Sequence, residues 1–555
     1  MGKVKNILWI MCDQLRWDYL SCAGHPHLET PNIDRLAARG VRFDRAYVQS
    51  TICGPSRMSA YTGRYVRTHG STWNGVPLKV GEPTLGDHLR ELGVRCVLAG
   101  KTHMKADAEG LARLGIDPDS IIGVLQSECG FEPFERDDGL HPDGPYDPDP
   151  DYDTYLRNLG YNSDNPWQDW ANSAAGEDGE VLDGSLLIHA DKAARIPEEH
   201  SETPYMTRRA MDFMRAAKTD GRPWLLHLSY IKPHWPYIVP APYHDMYGAK
   251  DVQPPVRSED ERANAHPLYA AYMEERFSKT FARDEVRERV IPAYMGLIKQ
   301  IDDQLGKLFA FMDDEGLTDE TMIVFTSDHG DYVGDHWMGE KYLFHDPSAR
   351  VPLIIVDPSP EAETTRGTVS DALVEMIDLV PTFVDALGGA AKPNVLEGRS
   401  LLPLLHGARP ATWREAVFSE YDFAFDPVRV KLGTPVSDSR MTMVFDGRWK
   451  YVHIPGFRPM LHDLQNDPQE LVDLGSDPAF EKERVRLHEL MFDWARRPAT
   501  RTTKSDAAIT KDDDVALLFD QSAPAGILIG FWDEAEVEAD RKAREEALRN
   551  RKPSS

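Results

Sequence analysis

Acid, base and cation side chains recur in this chain just after short apolar runs. Asp13 follows Ile7-Leu8-Trp9-Ile10-Met11-Cys12, Lys101 and His103 follow the run 94–99, Lys232 and His234 follow 224–230, and Asp328 and His329 follow 322–326. A continuous apolar run of this length reads as a strand buried on both faces of a parallel sheet. Ligands of such sheets bind beyond the carboxyl ends of the strands. The four runs therefore converge carboxylates, imidazoles and ammonium groups on one sheet edge. That set can move protons and hold an anion. A further segment, Cys53-Gly54-Pro55-Ser56-Arg57, puts a thiol and a guanidinium one helical turn apart. Taken alone, each feature has a plainer reading. A cysteine in a soluble chain is usually a small core hydrophobe, and Cys12 and Cys96 sit in apolar runs that fit this. Asp-His after a strand can simply cap a turn, and a surface Lys-x-His carries no chemistry.

The elements that must position these groups alternate. A further apolar run spans 351–356. Thr30-Pro31-Asn32-Ile33-Asp34-Arg35-Leu36 offers a cap residue and a proline in the first turn, with Gly40 as the stop. Tyr294, Leu297, Ile298, Ile301, Leu305, Leu308, Phe309 and Met312 recur at helical spacing over about five turns. Strands alternating with helices predict an α/β sheet covered on both faces. A chain of 555 residues exceeds one compact core. The expected division is a catalytic α/β domain over 1–395, a smaller α+β subdomain over 396–499 and a tail over 500–555. The subdomain rests on shorter runs such as Met443–Phe445 and Lys450–His453. Residues 132–200 read as a solvated surface insertion. Asp143, Asp147, Asp149, Asp151 and Asp153 lack the spacing of a calcium loop. The tail holds an apolar run at 527–532 and then a charged helix from about 533 to 551. Such a run must cover something, either its own chain or a neighbouring subunit, so a homo-oligomer is expected.

The stretch Cys53-Gly54-Pro55-Ser56-Arg57-Met58-Ser59-Ala60-Tyr61-Thr62-Gly63 resembles the signature of the sulfatases. Thr30–Leu36, Asp378-Leu379-Val380-Pro381-Thr382 and Leu461-His462-Asp463-Leu464-Gln465-Asn466-Asp467-Pro468 look like further landmarks of that family, so the resemblance covers about residues 4–480. It implies an alkaline phosphatase-like fold: a mostly parallel sheet flanked by helices, with a smaller C-terminal antiparallel sheet. It also implies that a formylglycine-generating enzyme oxidises Cys53 to formylglycine, whose hydrate attacks sulfur or phosphorus.

By the same resemblance, Asp13, Gln14, Cys53, Asp328 and His329 hold one divalent metal. Gln14 stands where many sulfatases carry a second Asp. Calcium prefers all-oxygen shells while manganese tolerates imidazole, so His329 leaves both ions open. Lys101 and His103 lie in Gly100-Lys-x-His and resemble the arylsulfatase motif, where the lysine meets a substrate oxygen and the histidine takes a proton from the hydrate. Phosphonate monoester hydrolases carry Tyr and Thr-type residues there. Asp-Gln with Asp-His resembles that second branch, as does Asn74, which matches a substrate-binding asparagine. His234 matches the leaving-group histidine, and a positioned imidazole typically contributes a factor of about 10²–10⁴. Lys341 matches the second active-site lysine and also contacts substrate. Arg57 is expected to hydrogen-bond the hydrated aldehyde. His69 is expected to make a structural hydrogen bond only.

Charge supports a small anionic ester as substrate. The chain carries a net charge of −28, which disfavours nucleic acid. With a dication, two aspartates, Arg57, Lys101 and Lys341, the site itself sums to roughly +3. The five cysteines form neither a disulfide framework nor a zinc pattern. No signal-peptide pattern opens the chain and no apolar run reaches a membrane-spanning length, so a cytoplasmic protein without membrane contact is expected. The expected activity is hydrolysis of sulfate monoesters, aryl esters first, to an alcohol or phenol plus inorganic sulfate. Hydrolysis of phosphonate monoesters and phosphodiesters by the same machinery is the alternative. A non-catalytic binder is a remote one. A two-zinc phosphatase would need Asp335, His336 and His345 to supply a second metal's ligands.

Overall fold

A computed structural model describes residues 4–139, 151–497, 499, 501–509 and 531–550. The described residues up to Ala391, with Leu396–Arg497, make one compact unit; Lys392–Val395 and the described residues beyond Pro498 make a second. The strands are β1 (Asn6–Asp13), β2 (Val41–Tyr47), β3 (Arg95–Gly100), β4 (Glu132–Arg136), β5 (Ser173–Ala175), β6 (Val181–Asp183), β7 (Trp224–Pro233), β8 (Thr321–Ser327), β9 (Leu353–Val356), β10 (Thr368–Glu375), β11 (Val417–Asp422), β12 (Arg440–Phe445), β13 (Trp449–His453) and β14 (Met460–Asp463). The expected apolar runs fall on seven of these strands, β1, β3, β7, β8, β9, β12 and β13, with bounds that differ by up to three residues.

Eight strands form the main sheet in the order β10-β2-β9-β8-β1-β7-β3-β4. Only β9 runs against the rest. The central strands β8, β1 and β7 are buried along their whole length. Helices Glu202–Asp220 and Asp284–Asp314 cover one face. Helices Cys53–Thr62 and Leu379–Ala386 pack into the core on the other. Parallel register sets the strand ends side by side: Cys12 pairs with Ser327, Asp13 with Pro233, and Gly100 with Ser229. The residues that follow those ends therefore meet at one edge, as the pattern of apolar runs predicts.

The fold is the mixed, mostly parallel sheet that the resemblance implies, with a small antiparallel sheet β11-β12-β13-β14. This second sheet is sewn to the first: Glu420 N–H donates to Gln49 O at 2.9 Å, and Phe418 N–H to Glu375 Oε1 at 2.9 Å. It belongs to the same compact unit as the main sheet.

Two local expectations need correction. The segment from 132 is not uniformly a solvated insertion. Residues 132–136 are the edge strand β4 of the main sheet, and Tyr152, Leu156 and Trp167 are buried in its core. Buried Asp153 accepts from Trp167 N–H at 2.9 Å, which is a structural use of a carboxylate. Asp143, Asp147 and Asp149 lie outside the described residues, as does most of the apolar run of the tail. The charged tail helix spans Glu534–Asn550. Among the described residues, no helix is long and apolar enough to cross a membrane.

The second correction concerns Thr30, whose side chain does not cap the helix Pro31–Arg39. Asp302, from the long helix Asp284–Asp314, does so instead. Its Oδ1 accepts from Asn32 N–H at 2.9 Å and Ile33 N–H at 2.8 Å, and its Oδ2 from Asn32 Nδ2 at 2.9 Å. A buried carboxylate thus satisfies the orphan donors of a distant helix. Asp302→Ala should destabilise the fold by about 2–3 kcal/mol, since it strands buried donors. Urea denaturation would read this as a lower midpoint with an unchanged slope.

Candidate active site

The sequence places the thiol at the start of a helix. In the structure every residue of Cys53–Thr62 is buried. Asn74 Oδ1 accepts from Gly54 N–H at 2.8 Å, so a side chain from outside caps the first turn. Ser56 Oγ donates to Asp328 O at 2.5 Å and locks the helix to the end of β8. Cys53 Sγ then lies 3.1 Å from His329 Nε2, 3.3 Å from Lys341 Nζ and 3.7 Å from Asp13 Oδ1.

Ligand atoms of Asp13, Cys53, Asp328 and His329 lie within 4.8 Å of one another, all buried. His329 Nδ1 pairs with Gly330 O at 2.9 Å. That hydrogen bond puts a proton on Nδ1 and turns Nε2 into the cluster, the orientation a metal-binding imidazole needs. Two carboxylates, an imidazole and a nucleophile position make a donor set that fits one divalent cation. Gln14 lies beside this cluster, its backbone N–H donating to Asp328 Oδ1 at 3.1 Å. Its Nε2 donates to Asp331 Oδ2 at 2.6 Å, which turns Oε1 toward Lys341 Nζ at 2.8 Å. Tyr237 O–H donates to the same Asp331 oxygen at 2.9 Å.

The Arg57 guanidinium reaches the residues around position 53. Nε meets Asp328 Oδ2 at 2.7 Å and Nη2 meets Asp13 Oδ2 at 3.3 Å, while Nη1 reaches Lys101 O at 2.9 Å and Ser229 Oγ at 2.8 Å. It clamps the two carboxylates and the ends of β3 and β7. Lys101 Nζ sits 2.6 Å from Asp13 Oδ2. Burial opposes charge on Asp13, and the Cys53 thiolate adds to this. Lys101, His234 and Arg57 prevail and hold its carboxyl well below the usual range. Burial likewise opposes the Cys53 thiolate, yet Lys341, His329, Lys101 and a hydrogen bond from His103 hold the thiol far below its ordinary value. The positive groups around this position thus favour the thiolate over the thiol.

His103 is within hydrogen-bond reach of Cys53, and its Nδ1 is buried without a partner. Its backbone is left-handed, with φ 53°. Asp138 holds it there: Oδ1 accepts the backbone N–H of Thr102 at 3.0 Å and of His103 at 2.9 Å. Burial opposes the charge on Asp138, but Arg136 and these bonds pull its carboxyl down to about 2. His234 pairs Nδ1 with Trp235 O at 2.7 Å, leaving Nε2 for a substrate, and it acts electrostatically on Asp13. Lys232 turns away from the edge. Its Nζ bonds Asn172 Oδ1 and Pro236 O, each at 2.9 Å, and so supports the loop that carries His234. His69 makes structural bonds, to Ser59 Oγ at 2.9 Å and from Ser71 N–H at 3.1 Å.

Asp138 and Asp331 escaped the sequence reading. Asp138 is hidden in an acidic stretch, and Asp331 lies just past a pair that already carries chemistry. The two-zinc reading loses one of its residues. Asp335 pairs with Arg16 at 2.7 Å, while His336 and His345 gather with Glu261 in a separate cluster.

Fold and site together define a hydrolase of the alkaline phosphatase superfamily. The chain belongs to the sulfatase family, whose profile matches residues 5–390. The profile of the N-sulphoglucosamine sulphohydrolase C-terminal region matches 334–497. The multifunctional alkaline phosphatase superfamily protein PehA of Trinickia caryophylli is 33% identical over 90% of this chain and 96% of its own. An arylsulfatase of Clostridium perfringens is 28% identical over 86% of this chain and 92% of its own. A phosphonate monoester hydrolase from Silicibacter pomeroyi superposes with a TM-score of 0.78 at 29% identity, over 90% of this chain and 96% of its own.

Asp138→Ala should lower kcat/KM by about 10–100-fold through a misplaced His103, with metal content unchanged. Asp328→Asn or His329→Ala should instead lose the metal. Elemental analysis beside steady-state rates separates the two outcomes.

Proposed function

We propose that this chain hydrolyses sulfate monoesters, aryl sulfates first, with formylglycine formed from Cys53 as nucleophile and one divalent metal. Asp13, Gln14, Asp328, His329 and residue 53 would hold the ion, calcium or manganese. The imidazole in that set leans toward manganese. When bound, the dication supplies a Lewis acid that favours ionised oxygen over hydroxyl. The observation that carries the reading is the convergence of His329, Lys341, Asp13 and His103 on the one side chain at position 53.

The chain's own residues divide the work. Arg57 fixes Asp13 and Asp328 in place. Lys101 and Lys341, now paired with Asp13 and Gln14, supply the positive charge that a sulfate's non-bridging oxygens require. Asn74 has its carbonyl committed to Gly54, so a substrate contact would use its NH₂. His234 Nε2 gives a proton to the departing alcohol or phenol. His103 removes one from the second hydroxyl of the hydrate, so sulfate leaves by carbon–oxygen cleavage and the aldehyde returns. A serine at this position has no second hydroxyl and would stop as the ester.

Maturation fits the same reading. Because every residue of Cys53–Thr62 is buried, a formylglycine-generating enzyme would have to read the segment before the chain folds.

A second reading has its own support. The structural neighbour at TM-score 0.78, a phosphonate monoester hydrolase, points to phosphonate monoesters, and phosphodiesters would use the same machinery. Both ester types are monoanions that suit the same pocket. Lys101 and His103 favour the sulfate branch.

Mass spectrometry of the peptide spanning Cys53 should find the aldehyde in protein from its native host; an intact thiol there would instead fit a binding protein. Turnover of 4-nitrophenyl sulfate should exceed that of a 4-nitrophenyl phenylphosphonate, and a phosphonate preference of several orders would reverse the choice. Cys53→Ala should remove at least about 10³ of the rate, and His234→Ala about 10²–10⁴, most for poor leaving groups.

A further inference from the structure

We propose that Trp73, Tyr342 and Phe425 form an aromatic subsite beside position 53 that takes the organic part of the ester and selects a planar aromatic group. This rests on the ester-hydrolase reading and names its substrate class more narrowly.

Two of the three side chains are placed by residues that touch the nucleophile segment. Trp73 directly precedes Asn74, which accepts from Gly54 N–H at 2.8 Å. Tyr342 directly follows Lys341, whose Nζ is 3.3 Å from Cys53 Sγ. Cys53 is also close enough to act electrostatically on the Tyr342 phenol. The backbone here is strained: Glu340 has φ 60° and Tyr342 φ 90°. Neither is glycine, and such residues cluster where a site needs a particular side-chain direction. Thr51 Oγ1 donates to Tyr342 O at 2.6 Å and holds the turn against the loop that leads into the Cys53 helix.

The rings form one continuous wall. Trp73 stacks on Phe425 with centroids 5.8 Å apart and planes 22° apart. Tyr421 joins the two halves, 5.7 Å from Trp73 and 6.0 Å from Tyr342. Tyr272 stacks on the far side of Tyr342 at 6.0 Å. The backing is rigid. Asp426 Oδ2 accepts from Tyr272 O–H at 3.0 Å and Tyr421 O–H at 3.3 Å, while Oδ1 caps the next helix through Val428 N–H at 3.0 Å. Asp426 thereby fixes its neighbour Phe425.

Phe425 is 59% exposed, and Trp73 and Tyr342 are half-buried. A large ring left open at the rim of a charged site, as Phe425 is, offers a face to a ligand. The hydroxyls of Tyr421 and Tyr272 are committed to Asp426, so the backing rings add no free hydroxyl to the wall. That suits an aryl group better than a hydroxyl-rich sugar or a short alkyl chain.

Benzenesulfonate and methanesulfonate test this, because they share one anionic head and differ only in the organic part. Titration calorimetry on the mature, metal-loaded protein should find benzenesulfonate bound at least about 10-fold more tightly. Trp73→Ala and Phe425→Ala should each cut that ratio by about 5-fold or more while methanesulfonate binding stays unchanged; Trp73→Phe should restore most of it. A ratio unchanged in both alanine variants overturns the subsite, as does equal weakening of both ligands or no preference in the parent protein. If no ester is turned over yet the ratio falls as expected, the hydrolase reading fails and the subsite stands.

Discussion

Arg57 lies between two buried carboxylates that would otherwise repel each other, and the site is organised around that contact. Asp13 and Asp328 come from adjacent central strands and are fully excluded from water. Two such charges are costly unless something positive lies in reach. One guanidinium meets both, and its remaining donors take the Lys101 carbonyl and the Ser229 hydroxyl. The ends of β1, β3 and β8 and the body of β7 are thereby tied to one side chain. A lysine could not do this, because a compact ammonium lacks the fixed fork that reaches several acceptors in a plane.

The same contact explains how a strongly acidic chain can hold an anion site. Long-range potential from −28 charges repels anions. Within the pocket the balance reverses, because Arg57, Lys101 and Lys341 outnumber the two aspartates before any dication is counted. Positions of the positive groups are set by other residues: Lys341 rests on Gln14, Gln14 on Asp331, and the Lys101–His103 turn on Asp138. Catalytic geometry of this kind depends on such supports as much as on the groups that touch substrate.

The small antiparallel sheet has a part in the site as well as in stability. Its edge strand β11 is hydrogen-bonded to the loop that follows β2, and that loop runs into the Cys53 helix. Tyr421 lies at the end of β11 and Phe425 just beyond it, where Trp73 meets both rings.

Much of the centre was legible in the sequence. Apolar runs of strand length, each followed by Asp, His or Lys, placed Asp13, Lys101, His103, His234, Asp328 and His329 at one edge, because parallel strands deliver their carboxyl ends to the same side. Asn74 and Lys341 were legible only through the spacing of a family pattern, since they sit on loops with no periodicity. What Arg57 binds, which residue caps the helix Pro31–Arg39, and the supports Asp138 and Asp331 were decided by tertiary structure. Each is a contact between segments far apart in the chain or hidden in an acidic stretch, and hydrogen-bond partners chosen by packing leave no mark on local spacing. Trp73, Tyr342 and Phe425 come together for the same reason: their order along the chain says nothing about which rings will share a wall.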